Sequence, residues 1–200
     1  MRYVVFGRPF PSYLGRFART AYALRRHGLQ KGDHFALFME NNNKFLEICA
    51  AGERSGLFYT PINSYLTADE LAYIIQNSQS KVLIVSKAKR DIAAAALEQC
   101  PNVTLGIMID AEENDPVFVD YLNLIAHEPT EPIADENLGI AMLYSSGTTG
   151  RPKGILRPMP DSSPDSPLPL WGFLDNLWKY EDGMTYLSPA PLYHSAPQAA

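Results

Sequence analysis

Four short apolar runs, separated by segments with helical spacing, constrain the fold of this chain most. The runs cover residues 35–39, 57–60, 81–85 and 103–109, and they are apolar along most of their length rather than alternating in polarity. Continuous runs are typical of strands buried on both faces, as in a parallel sheet covered by helices. The sequence therefore predicts an α/β fold: a mostly parallel sheet with helices on both faces, joined by right-handed crossovers.

Local signals set several boundaries within this pattern. Thr67 and Glu70 have the spacing of a capping box, which predicts that a helix begins there. Pro61 is expected to end the second strand, because proline cannot donate to a strand ladder. Residues 111–136 are acidic and dotted with proline, so we expect a polar surface excursion with a short helix over residues 117–125. One further strand is predicted over residues 184–187.

Composition excludes several classes of function. The chain has 200 residues, 46% of them hydrophobic and 20% charged, with a formal net charge of −5 and no basic cluster, so nucleic acid is not an expected partner. Cys49 and Cys100 lack metal or redox spacing, which indicates reduced, structural thiols in a cytoplasmic protein. No apolar run has the length of a transmembrane segment. We assign no metal ligands within this chain.

The stretch Tyr-Ser-Ser-Gly-Thr-Thr-Gly-Arg-Pro-Lys-Gly, residues 144–154, is the most informative about chemistry. It follows a predicted buried strand at residues 139–143. Glycines let backbone N–H groups approach an anion, hydroxyls donate further hydrogen bonds, and Lys153 supplies a point charge. These features predict a phosphate-binding loop. The spacing differs from a P-loop, because Pro152 precedes the lysine and Gly154 follows it. A solvent-exposed linker of the same composition is the alternative.

The same stretch closely resembles the phosphate-binding signature of the adenylate-forming (acyl-CoA synthetase, AMP-binding) superfamily. Two further segments resemble that family in the expected order. Residues 60–71, Thr-Pro-Ile-Asn-Ser-Tyr-Leu-Thr-Ala-Asp-Glu-Leu, resemble its second conserved segment. Pro-Leu-Tyr-His at residues 191–194 resembles the segment that follows the loop, usually Pro-Leu-Phe-His. The similarity extends from about residue 12 to the end of the chain.

The resemblance implies an ATP-dependent acyl-CoA synthetase for a fatty or related acid. Members of the family make an acyl-adenylate from a small carboxylic acid and ATP with Mg²⁺, and most pass the acyl group to a thiol, often that of coenzyme A. By resemblance, His194 is the neighbour of the acyl carboxylate, and it joins Thr148 and Lys153 as candidate catalytic residues. The residues expected to bind the nucleotide are Ser145, Ser146, Gly147, Thr148, Thr149, Gly150 and Lys153.

The resemblance also implies that much of the family's machinery lies elsewhere. Absent from these 200 residues are the Tyr-Gly-x-Thr-Glu-like segment with its Mg²⁺-linked glutamate, the Thr-Gly-Asp-like segment and the lid with its lysine. Residues 1–200 are therefore expected to be the first part of the large N-terminal AMP-binding domain, inactive alone. Mg²⁺ and coenzyme A would be bound mainly by other regions. The prediction leaves a homodimer open.

Two other classes of function stay open at the level of sequence. One is a kinase or NTPase with a variant phosphate loop, which needs a magnesium-binding acid at the end of a nearby strand; Asp110 is the only candidate. The other is a non-catalytic remnant or interaction module that keeps the loop without its chemistry.

Overall fold

The computed structural model describes residues 4–5, 8–9, 11–145, 151–166, 169–179 and 190–194. The predicted strand at 184–187 lies outside this part of the chain. The strands are β1 Val4–Val5, β2 Arg8–Pro9, β3 His34–Phe38, β4 Phe58–Ile62, β5 Ser80–Ser86, β6 Leu105–Ile109, β7 Val119–Asp120, β8 Ile140–Ala141, β9 Leu143–Ser145 and β10 Lys153–Ile155. The helices are α1 Pro11–Arg26, α2 Asn43–Arg54, α3 Ala68–Asn77, α4 Arg90–Leu97, α5 Tyr121–Ile125 and α6 Pro169–Trp178.

A six-stranded sheet forms the centre of the described fold. Its spatial order is β7-β6-β5-β3-β4-β8, and every pair of neighbours is parallel. The four continuous apolar runs of the sequence correspond to β3, β4, β5 and β6, the inner part of this sheet. β1 and β2 form a separate antiparallel pair, as do β9 and β10. The predicted α/β class with a mostly parallel sheet is confirmed.

Helices cover both faces of the sheet, as predicted. On one face, here called the α1 face, residues of α1, α2 and α5 pack against strand side chains such as Phe35 and Leu37. On the other, here called the α3 face, residues of α3 and α4 pack against Ala36 and Phe38. Successive residues of a strand point to opposite faces, so β3 alone contributes to both cores.

Pro61 does not end the second strand, which was the prediction; β4 continues through it to Ile62. The reason is the direction of its missing N–H group. The carbonyl of Tyr59 accepts from the Met142 N–H at 2.8 Å, so the backbone hydrogen-bonding groups of Tyr59 face β8 rather than β3. Pro61 is two residues further along the strand, so its backbone faces the same side. The β8 ladder ends at Ala141, opposite Tyr59, and Pro61 therefore removes no ladder hydrogen bond.

The expectation of a surface excursion at 111–136 is wrong for its middle part, although the short helix expected there is present as α5. The chain there forms β7 at the sheet edge and α5 on the α1 face. Tyr121 is completely buried, and its hydroxyl donates to Oε1 of Glu47 at 2.9 Å. This segment therefore belongs to the core of the α1 face.

Gly139 lets β8 lie close beside β4 and α2. Its N–H donates to the Glu53 carbonyl at 2.7 Å. A Cβ atom at this position would overlap the carbonyl oxygens of Gly52 and Leu57. Only glycine fits such an approach. β8 in turn leads within two residues into β9 and the phosphate-loop stretch, so this contact helps to set where that stretch leaves the sheet.

Candidate functional site

The predicted phosphate loop connects the two strands of a β-hairpin. β9 and β10 pair antiparallel, with Ser145 opposite Lys153 and Tyr144 opposite Gly154. The Ser145 Oγ lies 3.5 Å from the Lys153 carbonyl oxygen. Two of the predicted nucleotide-binding residues thus face each other at the roots of the loop. The others, Ser146, Gly147, Thr148, Thr149 and Gly150, lie outside the described residues.

Lys153 carries a charge that no acidic side chain neutralises within the described residues. Lys153 is solvent-exposed and is the first residue of β10, at the second root of the hairpin. A compact ammonium on a flexible stem, without an internal partner, is suited to an external anion. The local chemistry therefore fits the phosphate-binding role that the sequence predicts for this lysine.

Helix α3 contacts both roots of this hairpin. The Tyr73 hydroxyl donates to the Pro152 carbonyl at 3.2 Å, and the Tyr144 hydroxyl donates to Oδ1 of Asn77 at 2.6 Å. Burial raises the pKa of Tyr144, with a smaller contribution from Tyr73, so its phenol stays protonated and remains a donor. Gly154 is packed so tightly on this ring that a Cβ atom there would lie 2.9 Å from the Tyr144 Cζ.

The turn that contains His194 is held separately, by the residue Asn41. The Asn41 Nδ2 donates to the Ala190 carbonyl at 3.0 Å, and its Oδ1 accepts from the Leu192 N–H at 2.8 Å. Leu192 is buried within the core of the α1 face. His194 itself is exposed, and its ring lies 4.5 Å from that of Tyr193, centroid to centroid.

Both parts of the candidate site emerge at the same edge of the sheet. Asn41 lies three residues beyond the carboxyl end of β3, and β9 follows the carboxyl end of β8. Carboxyl ends of parallel strands share one edge, which is where open α/β sheets bind ligands. The structure therefore brings Ser145 and Lys153 to the same edge as His194, each from its own segment.

Asp110, the candidate acid for a kinase or NTPase, is not beside this hairpin. Asp110 is exposed and directly follows β6 with a φ of 57°. The hairpin follows β8, whose neighbour in the sheet is β4. β6 is separated from β4 by β5 and β3, which corresponds to a distance of roughly 14 Å across the sheet. Among the described residues, no group of three His, Cys, Asp or Glu side chains is arranged to hold a metal ion. The kinase alternative is therefore not favoured.

Three residues of this site were not identified from the sequence: Tyr73, Asn77 and Asn41. Tyr73 and Asn77 are four residues apart on α3, a spacing that places them on one side of the helix. This spacing can be recognised in the sequence, but the hydrogen-bond partners of Tyr73 and Asn77 lie 79 and 67 residues away along the chain. The residues that Asn41 contacts are 149 and 151 positions away along the chain. Only the folded chain reveals these pairs.

Comparison with known proteins decides the family. The model of the AMP-binding enzyme family matches residues 12–199. The chain belongs to the AMP-binding enzyme family. The resemblance stated from the three sequence segments is thereby confirmed.

Similar proteins include several acyl-CoA ligases. A 3-methylmercaptopropionyl-CoA ligase from Ruegeria lacuscaerulensis is 34% identical over 146 residues, covering 69% of this chain and 27% of the relative. The long-chain-fatty-acid–CoA ligase FadD13 from Mycobacterium tuberculosis is 33% identical over 180 residues, covering 89% of this chain and 34% of the relative. The chain thus spans between about a quarter and a third of the length of these curated relatives.

The fold also matches solved structures of this class. A crystal structure of a candidate long-chain-fatty-acid CoA ligase from Rhodopseudomonas palustris superposes with a TM-score of 0.79 at 25% identity. The match covers 96% of this chain and 48% of that protein. The six-stranded parallel sheet therefore corresponds to the N-terminal domain of acyl-CoA ligases. In the described part of the chain, no helix combines the length and apolarity needed to cross a bilayer.

Proposed function

We propose that the protein containing this chain is an ATP-dependent acyl-CoA synthetase, which joins a carboxylic acid to coenzyme A through an acyl-adenylate. The names of the relatives support this class: they are ligases of coenzyme A with long-chain fatty acids or with 3-methylmercaptopropionate. We propose a fatty or related acid as the substrate of this protein, and we place it in the cytoplasm. A homodimer remains part of the proposal.

The observation that carries the proposal is the hairpin root at which Ser145 faces Lys153, whose charge is not neutralised by any described residue. Joining a carboxylate to a phosphate brings two anions together, so positive charge and hydrogen-bond donors must offset their repulsion. Lys153 and the hydroxyls of Ser145, Ser146, Thr148 and Thr149 would bind the β- and γ-phosphates of ATP. Mg²⁺, when bound, supplies further neutralisation of the phosphates.

His194 is proposed to lie beside the carboxylate of the acid. Its exposure at the carboxyl edge of the sheet supports this role, as does the fixation of its turn by Asn41 and Leu192. An imidazole can donate one hydrogen bond to a carboxylate oxygen while remaining neutral. His194 and its neighbour Ser195 are not proposed as a nucleophilic pair, because within the part of the chain that the structure describes no acidic side chain is hydrogen-bonded to the imidazole.

Residues 1–200 are proposed to form the N-terminal part of the AMP-binding domain. The relatives support this placement, since the chain covers 27% and 34% of their lengths. Mg²⁺ and coenzyme A are proposed to contact mainly residues outside these 200. We therefore expect the isolated chain to bind nucleotide without forming acyl-adenylate.

The test is acid-dependent exchange of radioactive pyrophosphate into ATP, with saturated fatty acids of increasing length. A longer protein that contains this chain together with its following residues should catalyse exchange. Lys153→Ala should slow exchange at least about tenfold, given typical losses for a single phosphate-binding donor. Lys81→Ala is the matched control and should retain full exchange, because Lys81 lies near the amino end of β5, away from the carboxyl ends of the strands.

The products separate this proposal from its alternatives. Formation of AMP and pyrophosphate supports a synthetase, whereas release of ADP would support a kinase or NTPase. If the longer protein neither exchanges pyrophosphate nor binds ATP, the loop belongs to a non-catalytic module and the proposal is wrong. Acid-dependent exchange by the isolated 200-residue chain would contradict the placement of the remaining machinery outside it.

A further inference from the structure

One side of helix α3 acts as a platform for both roots of the phosphate-loop hairpin. Tyr73 and Asn77 are separated by four residues and therefore lie above one another on that side. Tyr73 contacts Pro152 at the second root, and Asn77 contacts Tyr144 at the first. The separation of the two roots is thereby tied to the rise of a single helical turn.

Arg151, the second cation of the signature, is engaged in this platform. Its guanidinium lies 5.0 Å from the centroid of the Tyr73 ring, within the range of a cation–π interaction. Among the described residues it has no acidic partner. Tyr73 therefore contacts two consecutive residues of the signature, Arg151 with its ring and Pro152 with its hydroxyl. Lys153 is the next residue along the chain.

The platform is fixed in position by the start and the buried side of α3. The Thr67 side chain and the Glu70 carboxylate form the predicted capping box, with the Thr67 N–H 2.9 Å from Oε2 of Glu70. Leu71, Ile74 and Ile75 are buried in the α3-face core. A helix with a defined beginning and a packed inner side holds its outer residues in a defined direction, which is what a binding site requires of its support.

We propose that Tyr73 is a positioning residue for nucleotide binding: through Arg151 and Pro152 it holds the second root of the hairpin, and so directs the Lys153 ammonium towards the phosphates. Arg151 acts in this scheme on the protein, as the partner of the ring, and Lys153 acts on the anion. The role in nucleotide binding rests on the proposed function. The anchoring of the hairpin does not.

The alternative is that Tyr73 merely fills space, since its ring also packs against the α3-face core. Three variants separate the two roles. Tyr73→Phe removes the hydrogen bond to Pro152 and keeps the ring, Tyr73→Leu removes both contacts, and Arg151→Ala removes the cation. Tyr65→Leu is the matched control, because the Tyr65 ring also lies near a cation, Lys89 Nζ at 5.6 Å, but is 82% exposed and contacts no part of the hairpin among the described residues.

The test consists of two measurements on the 200-residue chain and its variants. Hydrogen exchange of the amides of residues 153–155, without nucleotide, reports on the hairpin alone. Calorimetric titration with ATP, and separately with inorganic pyrophosphate, reports on anion binding. We expect Tyr73→Leu to accelerate the exchange about tenfold and to raise both Kd values by a similar factor, as the loss of one hydrogen bond and one cation–π contact implies. Tyr73→Phe should give about a threefold effect, and Tyr65→Leu none.

A double-mutant cycle assigns Arg151. If Arg151 acts through Tyr73, Arg151→Ala should raise the Kd for ATP in the parent chain and have little further effect in the Tyr73→Leu background. Equal effects in both backgrounds would show that Arg151 contacts the phosphates directly, and would overturn its assignment as the partner of the ring.

The outcomes distinguish this inference from the proposed function. Unchanged hairpin exchange in Tyr73→Leu overturns the inference, even if the parent chain binds ATP. Faster exchange, together with weaker ATP and pyrophosphate binding, supports both. If Tyr73→Leu exchanges faster but the parent chain binds neither anion, the anchoring role of Tyr73 is supported and nucleotide binding by this hairpin is overturned.

Discussion

The two faces of the central sheet are built differently. On the α3 face, the buried residues of the covering helices α3 and α4 are apolar. On the α1 face, a carboxylate lies within the core: Glu47 of α2 is 2% exposed. A buried carboxylate is tolerated only when its oxygens are paired, so the α1 face requires a set of matching polar partners that the α3 face does without.

Those partners come from three helices. Oε1 of Glu47 accepts from the Tyr121 hydroxyl of α5, while Oε2 lies 3.1 Å from Lys44 Nζ and 3.6 Å from Arg16 Nη1 of α1. The Tyr121 hydroxyl is also 2.7 Å from the Thr20 Oγ1. Burial, together with the charge of Glu47, raises the pKa of Tyr121, which keeps its phenol a donor. The cluster joins α1, α2 and α5 in one arrangement.

Each face also delivers a different half of the candidate site. The α3 face holds the phosphate-loop hairpin through Tyr73 and Asn77, and the α1 face holds the His194 turn through Leu192. Asn41, between β3 and α2, adds its two hydrogen bonds to that turn. The comparison teaches that the two segments proposed to bind nucleotide and acid have separate supports, so damage to one face should spare the local structure that the other face holds.

The largest expected effect is a cavity in the α3 face. Leu71→Ala should lower the free energy of unfolding by about 3 kcal/mol, because Leu71 is completely buried and its removal leaves a void. Urea denaturation measures this loss, and Leu122→Ala, at a leucine that is 43% exposed, is the control. Equal losses in the two variants would show that α3 does not rest on a packed core.

A smaller loss is expected from the polar cluster of the α1 face. Tyr121→Phe should cost about 1–3 kcal/mol, since it leaves Oε1 of buried Glu47 without its donor. Tyr22→Phe removes a hydroxyl from an exposed contact 3.4 Å from the Pro132 carbonyl and should cost under about 0.5 kcal/mol. If Tyr121→Phe were neutral in urea denaturation, the contrast between the two faces would be wrong.

Asn41→Ala tests whether the His194 turn has its own support. Loss of the side chain should accelerate hydrogen exchange of the Leu192 amide by about fivefold, as expected for one partly buried hydrogen bond, and should leave the amides of residues 153–155 unchanged. Asn43→Ala, two residues away at the first position of α2, is the control. Acceleration of both segments together would indicate one shared support rather than two.

The smallest effect concerns a charge pair at the rim of the α3 face. The Arg90 guanidinium, 2.6 Å away, lowers the pKa of Asp115 to about 2, while burial opposes the shift and the Val117 and Phe118 N–H groups add to it. A lowered pKa gives stability that is fully present above the ordinary value of 3.8 and is lost as the pH falls to about 2.

Asp115→Asn should therefore cost under about 1 kcal/mol at neutral pH and flatten the pH dependence of stability between about pH 4 and pH 2. Urea denaturation at several pH values measures both. Asp91→Asn is the control, because Asp91 also lies near Arg90 but has a side chain that is 94% exposed. An acid limb that is the same in Asp115→Asn and the parent would contradict the pairing.

Much of the fold could be predicted from local pattern. The apolar runs identified the four inner strands, and the spacing of Thr67 and Glu70 identified the start of α3 together with its capping geometry. These features depend on residues close together in the chain. Pro61 was misjudged because its effect depends on which strand lies beside it, and strand order is a property of the whole sheet.

The support of the site could not be predicted, for a related reason. Tyr121 lies in a segment whose acidic composition suggests exposure, and its burial depends on packing in the α1-face core and on hydrogen bonds with Glu47 and Thr20. Tyr73 and Asn41 bind partners far along the chain. The signature residues at 144–154 were recognisable because several residue types suited to anion binding, namely glycines, hydroxyl residues and a lysine, occur together in one short segment.

ATP binding by the 200-residue chain tests the central claim most directly. Calorimetric titration should show that the parent binds ATP, that Lys153→Ala and Thr148→Ala each weaken binding at least about tenfold, and that Lys81→Ala binds as the parent does. Affinity that is unchanged in both Lys153→Ala and Thr148→Ala, or absent in the parent, would contradict the assignment of this hairpin as the nucleotide-binding element.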